Sequence, residues 1–197
     1  MDFGTSKNLS AVGTLLMFIG VIPLIPYGGI LALVGLILLM IGIKGLANYY
    51  NEQGIFSNVL YSVIIAIGGG IVAVGAIAIS AMSALADLGI DLATIEDWAN
   101  AGTEFGAVFT DITDFSAIMG LFSALIVGAL ILFVVLIISM YFARKSMNQL
   151  SEKSGIGLFG TAGLMMLIGA IIPVIGLLII WIGLLLAMVG FFQLKTE

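Results

Sequence analysis

Long apolar runs alternate with short polar breaks along the chain, and the run lengths set the expected elements. The first run extends from Leu9 to Ala47 and meets no charge before Lys44. A membrane-spanning helix takes about 20 apolar residues, within a range of about 17–25, so this run is too long for one. Pro23, Pro26 and Gly28-Gly29 interrupt it near the middle. Proline withdraws a backbone donor and clashes with the preceding turn. The expectation is a tight hairpin, with a first helix from Leu9 to about Ile25 and a second from about Gly28 to Ala47. A polar loop, Asn48 to Gly54, then leads to a third helix from about Phe56 to Ala86. That helix is longer than a bilayer requires, so it tilts or projects. The segment from Asp87 to Phe115 is acidic. A fourth helix is expected from about Ser116 to Ala143, followed by a second polar loop from Arg144 to Gly157. The last apolar run, Leu158 to Leu194, is broken at Pro173, which places a fifth helix before the proline and a sixth after it. The pattern predicts one all-α membrane domain: a polytopic helical bundle of six transmembrane helices with an amphipathic, acidic extracytoplasmic segment.

The two hairpins resemble each other. Val34 to Gly42 aligns without gaps on Ile182 to Gly190, and glycines recur at seven-residue steps in both, at Gly28, Gly35 and Gly42 and at Gly176, Gly183 and Gly190. Gly20 pairs with Gly169 if one residue is inserted between the helices. With 26 glycines in 197 residues, one ladder could arise by chance. Two ladders in one register, each with Met two residues before the last Gly, point to duplication of a hairpin. The first and fifth helices enter from the same side, so the repeat is parallel, about an axis along the membrane normal. The third helix has its own row of small residues: Ser62, Ala66, Gly69, Ala73, Ala76, Ser80 and Ser83 step by four and three in turn. Between helices immersed in lipid there is no hydrophobic drive, and small residues allow the close backbone approach that holds them together. A period of 3.5 implies a left-handed crossing. The row reads as a packing seam in preference to a pore lining.

In the acidic segment, Thr94 with Asp97 three residues later resembles a helix cap. Ile95, Trp98, Phe105, Phe109, Ile112 and Phe115 share one face, while Glu96, Asp97, Glu104 and Asp111 point elsewhere. The expectation is an amphipathic helix, broken near Gly102 and Gly106, lying on the outer leaflet or on the tops of the other helices. Trp98 suits the headgroup level. The carboxylates lack the spacing of a calcium loop, so they read as a solvated face and not as a metal site.

Composition explains why the runs are so long. The chain is 62% hydrophobic and 9% charged, against about 45–50% and about 25% for soluble domains. A chain this short buries only about 70% of its unfolded surface, so lipid must be its solvent. Charge orients the bundle. The basic residues are Lys7, Lys44, Arg144, Lys145, Lys153 and Lys195. With six spans all of them share the side of the N-terminus, and an odd number of spans between consecutive basic loops would split the set. Positive residues mark the cytoplasmic side, so both termini are expected there, in a multi-pass protein of the cell membrane. That side carries four acids; Asp87, Asp91, Glu96, Asp97, Glu104, Asp111 and Asp114 lie on the other. The first apolar run lacks a small-x-small cleavage site and reads as a retained helix, not a signal peptide.

Little chemistry remains. Without a basic tract, nucleic-acid binding is not expected. The chain has neither Cys nor His. That removes thiol chemistry and disulfides and the usual proton shuttle, and no cofactor is implied. Ionisable residues inside a span usually mark ion paths or substrate sites. Here only Lys44 falls within one, near enough to its end to snorkel. The pattern argues against proton-coupled transport and more strongly against an enzyme, since no nucleophile–base pair can be assembled.

Two polar loops carry a resemblance. Gly45-Leu-Ala-Asn-Tyr-Tyr-Asn-Glu-Gln-Gly-Ile-Phe56, and Tyr141 to Gly155 followed by Leu158-Phe-Gly-Thr-Ala-Gly163, resemble an uncharacterised family of archaeal and bacterial membrane proteins, domain of unknown function nine-nine-six. The similarity covers the whole chain, with these loops as its distinctive part. It implies a multi-span membrane protein and brings no assigned activity and no functional residues. The leading expectation for function is a non-enzymatic structural or accessory protein, in contact with membrane lipids and packing as a homo-oligomer or with other membrane subunits. The alternative is a channel or carrier for a small or apolar solute. A continuous polar cavity would favour the carrier; a dry bundle with an exposed small-residue groove would favour assembly.

Overall fold

Helix ends fall where capping groups and backbone breakers place them. In the computed structural model, which describes residues 1–22, 26–87 and 115–195, the described residues form six helices. They are α1 (Phe3–Gly20), α2 (Gly28–Tyr49), α3 (Gln53–Asp87), α4 (Phe115–Ser154), α5 (Gly157–Ile171) and α6 (Gly176–Gln193). No β-strand occurs among the described residues. The predicted acidic segment lies outside the described residues from position 88 to 114.

α1 begins at Phe3 and not at Leu9, because Asp2 caps it: the Thr5 N–H donates to the Asp2 carboxylate at 2.9 Å. Hydrogen bonds from Thr5, the side chain's first, hold the Asp2 carboxyl below its ordinary value of 3.8. The helix ends at Gly20 and does not reach Ile25. The larger departure is α4, which runs straight through the expected polar loop to Ser154. Arg144 to Ser154 contains no Gly or Pro, and its Ser146, Met147 and Leu150 are buried. The segment is thus a half-buried amphipathic helix. Gly155, at φ 70°, ends it, in the left-handed region that glycine adopts without steric cost. The two hairpin turns each place a non-glycine residue after a proline in that same region: Tyr27 at φ 62° and Val174 at φ 65°.

The chain divides into two units, Met1–Ala66 with Val135–Glu197, and Ile67–Val134. In the first, α1 packs on α2, α5 on α6, and α1 on α6. Its core is filled by Ile43 and Leu46 of α2, Ile55 of α3, Leu150 of α4, and Phe159 and Phe191, whose rings meet edge to face at 4.9 Å. In the second unit, Gly128 of α4 lies against Ile77 of α3, and Ala73 is fully buried. Ile71, Val72, Val74 and Ile79 of α3, with Phe122, Leu125 and Ile126 of α4, are exposed. An apolar surface of this extent is the exterior that lipid calls for, and water would oppose it.

Candidate functional site

With no catalytic constellation to build, the candidate site is the set of helix contacts that the small residues make. In the first hairpin, a β-carbon added to Gly20 would fall 2.5 Å from the Gly28 carbonyl oxygen and 2.5 Å from the Ala32 nitrogen. One added to Gly35 would fall 2.5 Å from the Gly13 oxygen. Further along, Gly42 faces the Ser10 hydroxyl and Gly45 that of Ser6. Those hydroxyls are satisfied within α1: Ser6 donates to the Asp2 carbonyl at 2.8 Å, Ser10 to Ser6 at 2.9 Å and Thr14 to Ser10 at 2.7 Å. Bonding to the carbonyl four residues back keeps this face flush, so the α2 backbone can lie on it.

The second hairpin closes in the same manner. A β-carbon at Gly169 would sit 2.5 Å from the Gly176 oxygen, and one at Gly183 would sit 2.8 Å from Met166 Cγ and 3.1 Å from the Ala162 oxygen. A β-carbon at Gly190 would sit 3.0 Å from the ring of Phe159, where one at Gly42 would meet Ser10. α1 is joined to α6 by Trp181, which stacks on Phe18 at 4.3 Å and donates its indole N–H to the Phe18 carbonyl at 3.0 Å. Lys7 Nζ donates to the Leu194 carbonyl at 2.6 Å.

The α3 row is placed unevenly. Ser62 and Ala73 are buried, Gly69 and Ala76 are half-buried, and Ala66, Ser80 and Ser83 are exposed. Ser83 donates to the Ile79 carbonyl of its own helix.

Sequence reasoning missed a polar ladder between α3 and α4. The Ser62 and Ser139 hydroxyls pair at 3.0 Å, and Ser139 also reaches the Ser62 carbonyl at 3.0 Å. Ser146 donates to the Ile55 carbonyl at 2.6 Å, and the Asn58 amide donates to Gln149 at 2.9 Å. The spacing of Ser139, Ser146 and Gln149 on one helical face is the signal, legible only if α4 is continuous. Among the described residues every buried side-chain nitrogen or oxygen has a hydrogen-bond partner. Lys44 Nζ lies 5.7 Å from the centre of the Phe56 ring, near the start of α3. Lys153 pairs with Glu52 at 3.5 Å. Among the described residues no three acidic, His or Cys groups gather as metal ligands.

A chain whose described residues form helices joined by backbone-to-backbone glycine contacts, with α2, α3, α4 and α6 each long and apolar enough to cross a bilayer, is a multi-span membrane protein. Its residues 31–191 match the family described as Protein of unknown function (DUF996), and the chain belongs to that family. It is similar to the uncharacterized protein MJ1644 of Methanocaldococcus jannaschii, at 24% identity over 174 residues, covering 87% of this chain and 80% of the relative. No solved structure matches.

Proposed function

We propose that this protein crosses the cell membrane six times with both termini cytoplasmic. We further propose that it is a non-enzymatic structural or accessory subunit, packing through small-residue helix faces into a homo-oligomer or a larger membrane complex. The observation that carries the assembly reading is the bare backbone of α3. Among the described residues, a β-carbon added to Gly68, Gly70 or Gly75 would meet nothing within 4 Å. Such positions let a second helix approach closely. The filled centre of the first unit, with Phe159, Phe191 and Leu150 fully buried, supports assembly over a solute path.

Six spans include α1 and α5, of 18 and 15 residues, or about 27 Å and about 22 Å at 1.5 Å per residue. The contacts from Gly20·Gly28 to Ser6·Gly45 run α1 antiparallel along α2, itself long enough to span, which supports the same depth for both. The matching Gly20·Gly28 and Gly169·Gly176 closures, and the left-handed residue after each hairpin proline, support a duplicated hairpin.

Two experiments test these readings. Gly68→Leu and Gly75→Leu have room in a single copy, so they should leave the folded protein intact and abolish its assembly in lipid nanodiscs, read by mass photometry. Unchanged assembly, or a wild-type protein that is monomeric and partnerless in its native membrane, would refute the reading. For topology, single cysteines at Lys7, Asn100, Ser151 and Thr196 should be labelled on intact cells by an impermeant thiol reagent only at position 100. Labelling at 151 would overturn the orientation.

A further inference from the structure

At one end of the first unit, the start of α1 meets the ends of α2, α4 and α6. Between them is a cavity of about 770 Å³ whose polar lining is Lys7, Tyr49, Tyr50, Ser154, Gln193 and Lys195. A neighbouring hollow of about 370 Å³ shares both lysines. Lys7 and Lys195 stand near opposite ends of the chain, and packing of α1 on α6 brings them together. Among the described residues the lining includes neither Asp nor Glu. Lys7 is held in place by its bond to the Leu194 carbonyl. An ammonium group has three protons to donate, so two remain for a ligand. The Tyr49 phenol and the Gln193 amide add donors to the wall, while the Ser154 hydroxyl already donates to the Leu150 carbonyl at 2.7 Å. Two lysines lining one cavity, with no carboxylate among its described residues, favour an anion over a neutral or cationic guest.

The position of the cavity narrows the anion. Lys7 and Lys195 are the basic residues of its lining, and the ends of α2, α4 and α6 that meet here are the ones assigned above to the cytoplasmic interface. Tyr49 and Phe192 at the rim are 45% and 51% exposed; a tyrosine, with an apolar ring and a wet hydroxyl, settles at headgroup level. Basic pockets between membrane helices on this side suit anionic headgroups. We propose that the cavity is a binding site for a phosphate ester supplied by an anionic phospholipid. Lys7 and Lys195 flank the phosphate, Tyr49 and Gln193 donate to its oxygens, and the acyl chains pass over Phe192 onto the outer surface. The site rests on the membrane reading and is independent of assembly.

The test uses the full-length, delipidated protein in detergent, titrated with phosphatidylglycerol, phosphatidylcholine or soluble glycerol 3-phosphate, and counts bound molecules by native mass spectrometry. Phosphatidylglycerol should be retained and phosphatidylcholine lost. Lys195→Gln should weaken retention about fivefold, the typical contribution of one basic residue near an anionic surface, and Lys7→Gln/Lys195→Gln should weaken it further. Lys44→Gln should change nothing, because Lys44 lines neither hollow and lies over Phe56. If Lys7→Gln unfolds through loss of its bond to Leu194, as read by Trp181 fluorescence, Lys195→Gln alone decides. Equal retention of phosphatidylcholine, or undiminished retention by Lys195→Gln, overturns the site. Tight binding of glycerol 3-phosphate would overturn the lipid as its ligand.

Discussion

Gly20→Ala is the sharpest probe of how the hairpins are held, since one methyl group is opposed by backbone alone. The new β-carbon would lie 2.5 Å from both the Gly28 oxygen and the Ala32 nitrogen, where ordinary contact is 3.4–4 Å. Both obstacles belong to α2 and cannot rotate aside, so α1 must move away from α2 by about 1 Å to restore van der Waals separation. Overpacking of this kind costs about 1–3 kcal/mol, and a rigid backbone obstacle puts it near the top of that range. Alanine recovers about 1 kcal/mol of helix propensity over glycine, which leaves a net loss of about 2 kcal/mol. Gly68→Ala has the same chemistry with open space around the methyl group, so only the propensity gain of about 1 kcal/mol remains. The two variants should therefore differ by about 2–3 kcal/mol, or roughly 4–12 °C in midpoint for a chain of this size. Trp181, stacked on Phe18, reports the α1–α6 contact, and Trp98→Phe as the parent removes the other indole. Thermal unfolding in one detergent compares the pair. The reasoning fails if Gly20→Ala unfolds with or above the parent, or if Gly68→Ala is as damaging as Gly20→Ala.

Val174→Gly should stabilise the protein by about 0.5–1 kcal/mol, since a left-handed β-branched residue costs about 1–2 kcal/mol and glycine's extra unfolded freedom returns part of that; a lowered midpoint would contradict it. Ala73→Leu should destabilise by about 1–3 kcal/mol through overpacking a fully buried site, and normal folding in both detergent and lipid would show that Ala73 is not tightly packed. In a double-mutant cycle, Ser62→Ala and Ser139→Ala should couple by about 0.6 kcal/mol, the average for hydroxyl bonds between membrane helices; zero coupling would mean that the pair is not formed in lipid. The Asp2 carboxyl is depressed by its bonds to Thr5, so its cap is fully present above pH 3.8 and is lost as pH falls through the depressed value. Amide exchange at Thr5 should accelerate below that pH, and in Asp2→Ala it should lack this extra acceleration.

Run length and proline position determined the number and order of the helices, because the hydropathy of a spanning segment and the loss of a backbone donor at proline are local properties. The glycine ladders were legible for the same reason: a period of seven along one helix marks a face without reference to what lies opposite. Local pattern could not decide where α4 ends. Polarity from Arg144 to Ser154 reads as a loop, yet Ser146, Met147 and Leu150 become the buried side of a helix once α3 and α5 supply surfaces for them, with Gly163 of α5 close to Arg144 and Met147. The serine ladder was hidden because Ser62 and Ser139 are 77 residues apart, and a hydroxyl in a membrane helix bonds equally well to its own backbone. The uneven burial of the α3 row also had no sequence signature, since small residues permit close approach without specifying a partner. Lys7 and Lys195 share a cavity only because α1 packs on α6. Sequence decides which segments enter the membrane, but within lipid, where every segment is apolar, interhelical contacts depend on shape and hydrogen bonding between surfaces that only the tertiary structure brings together.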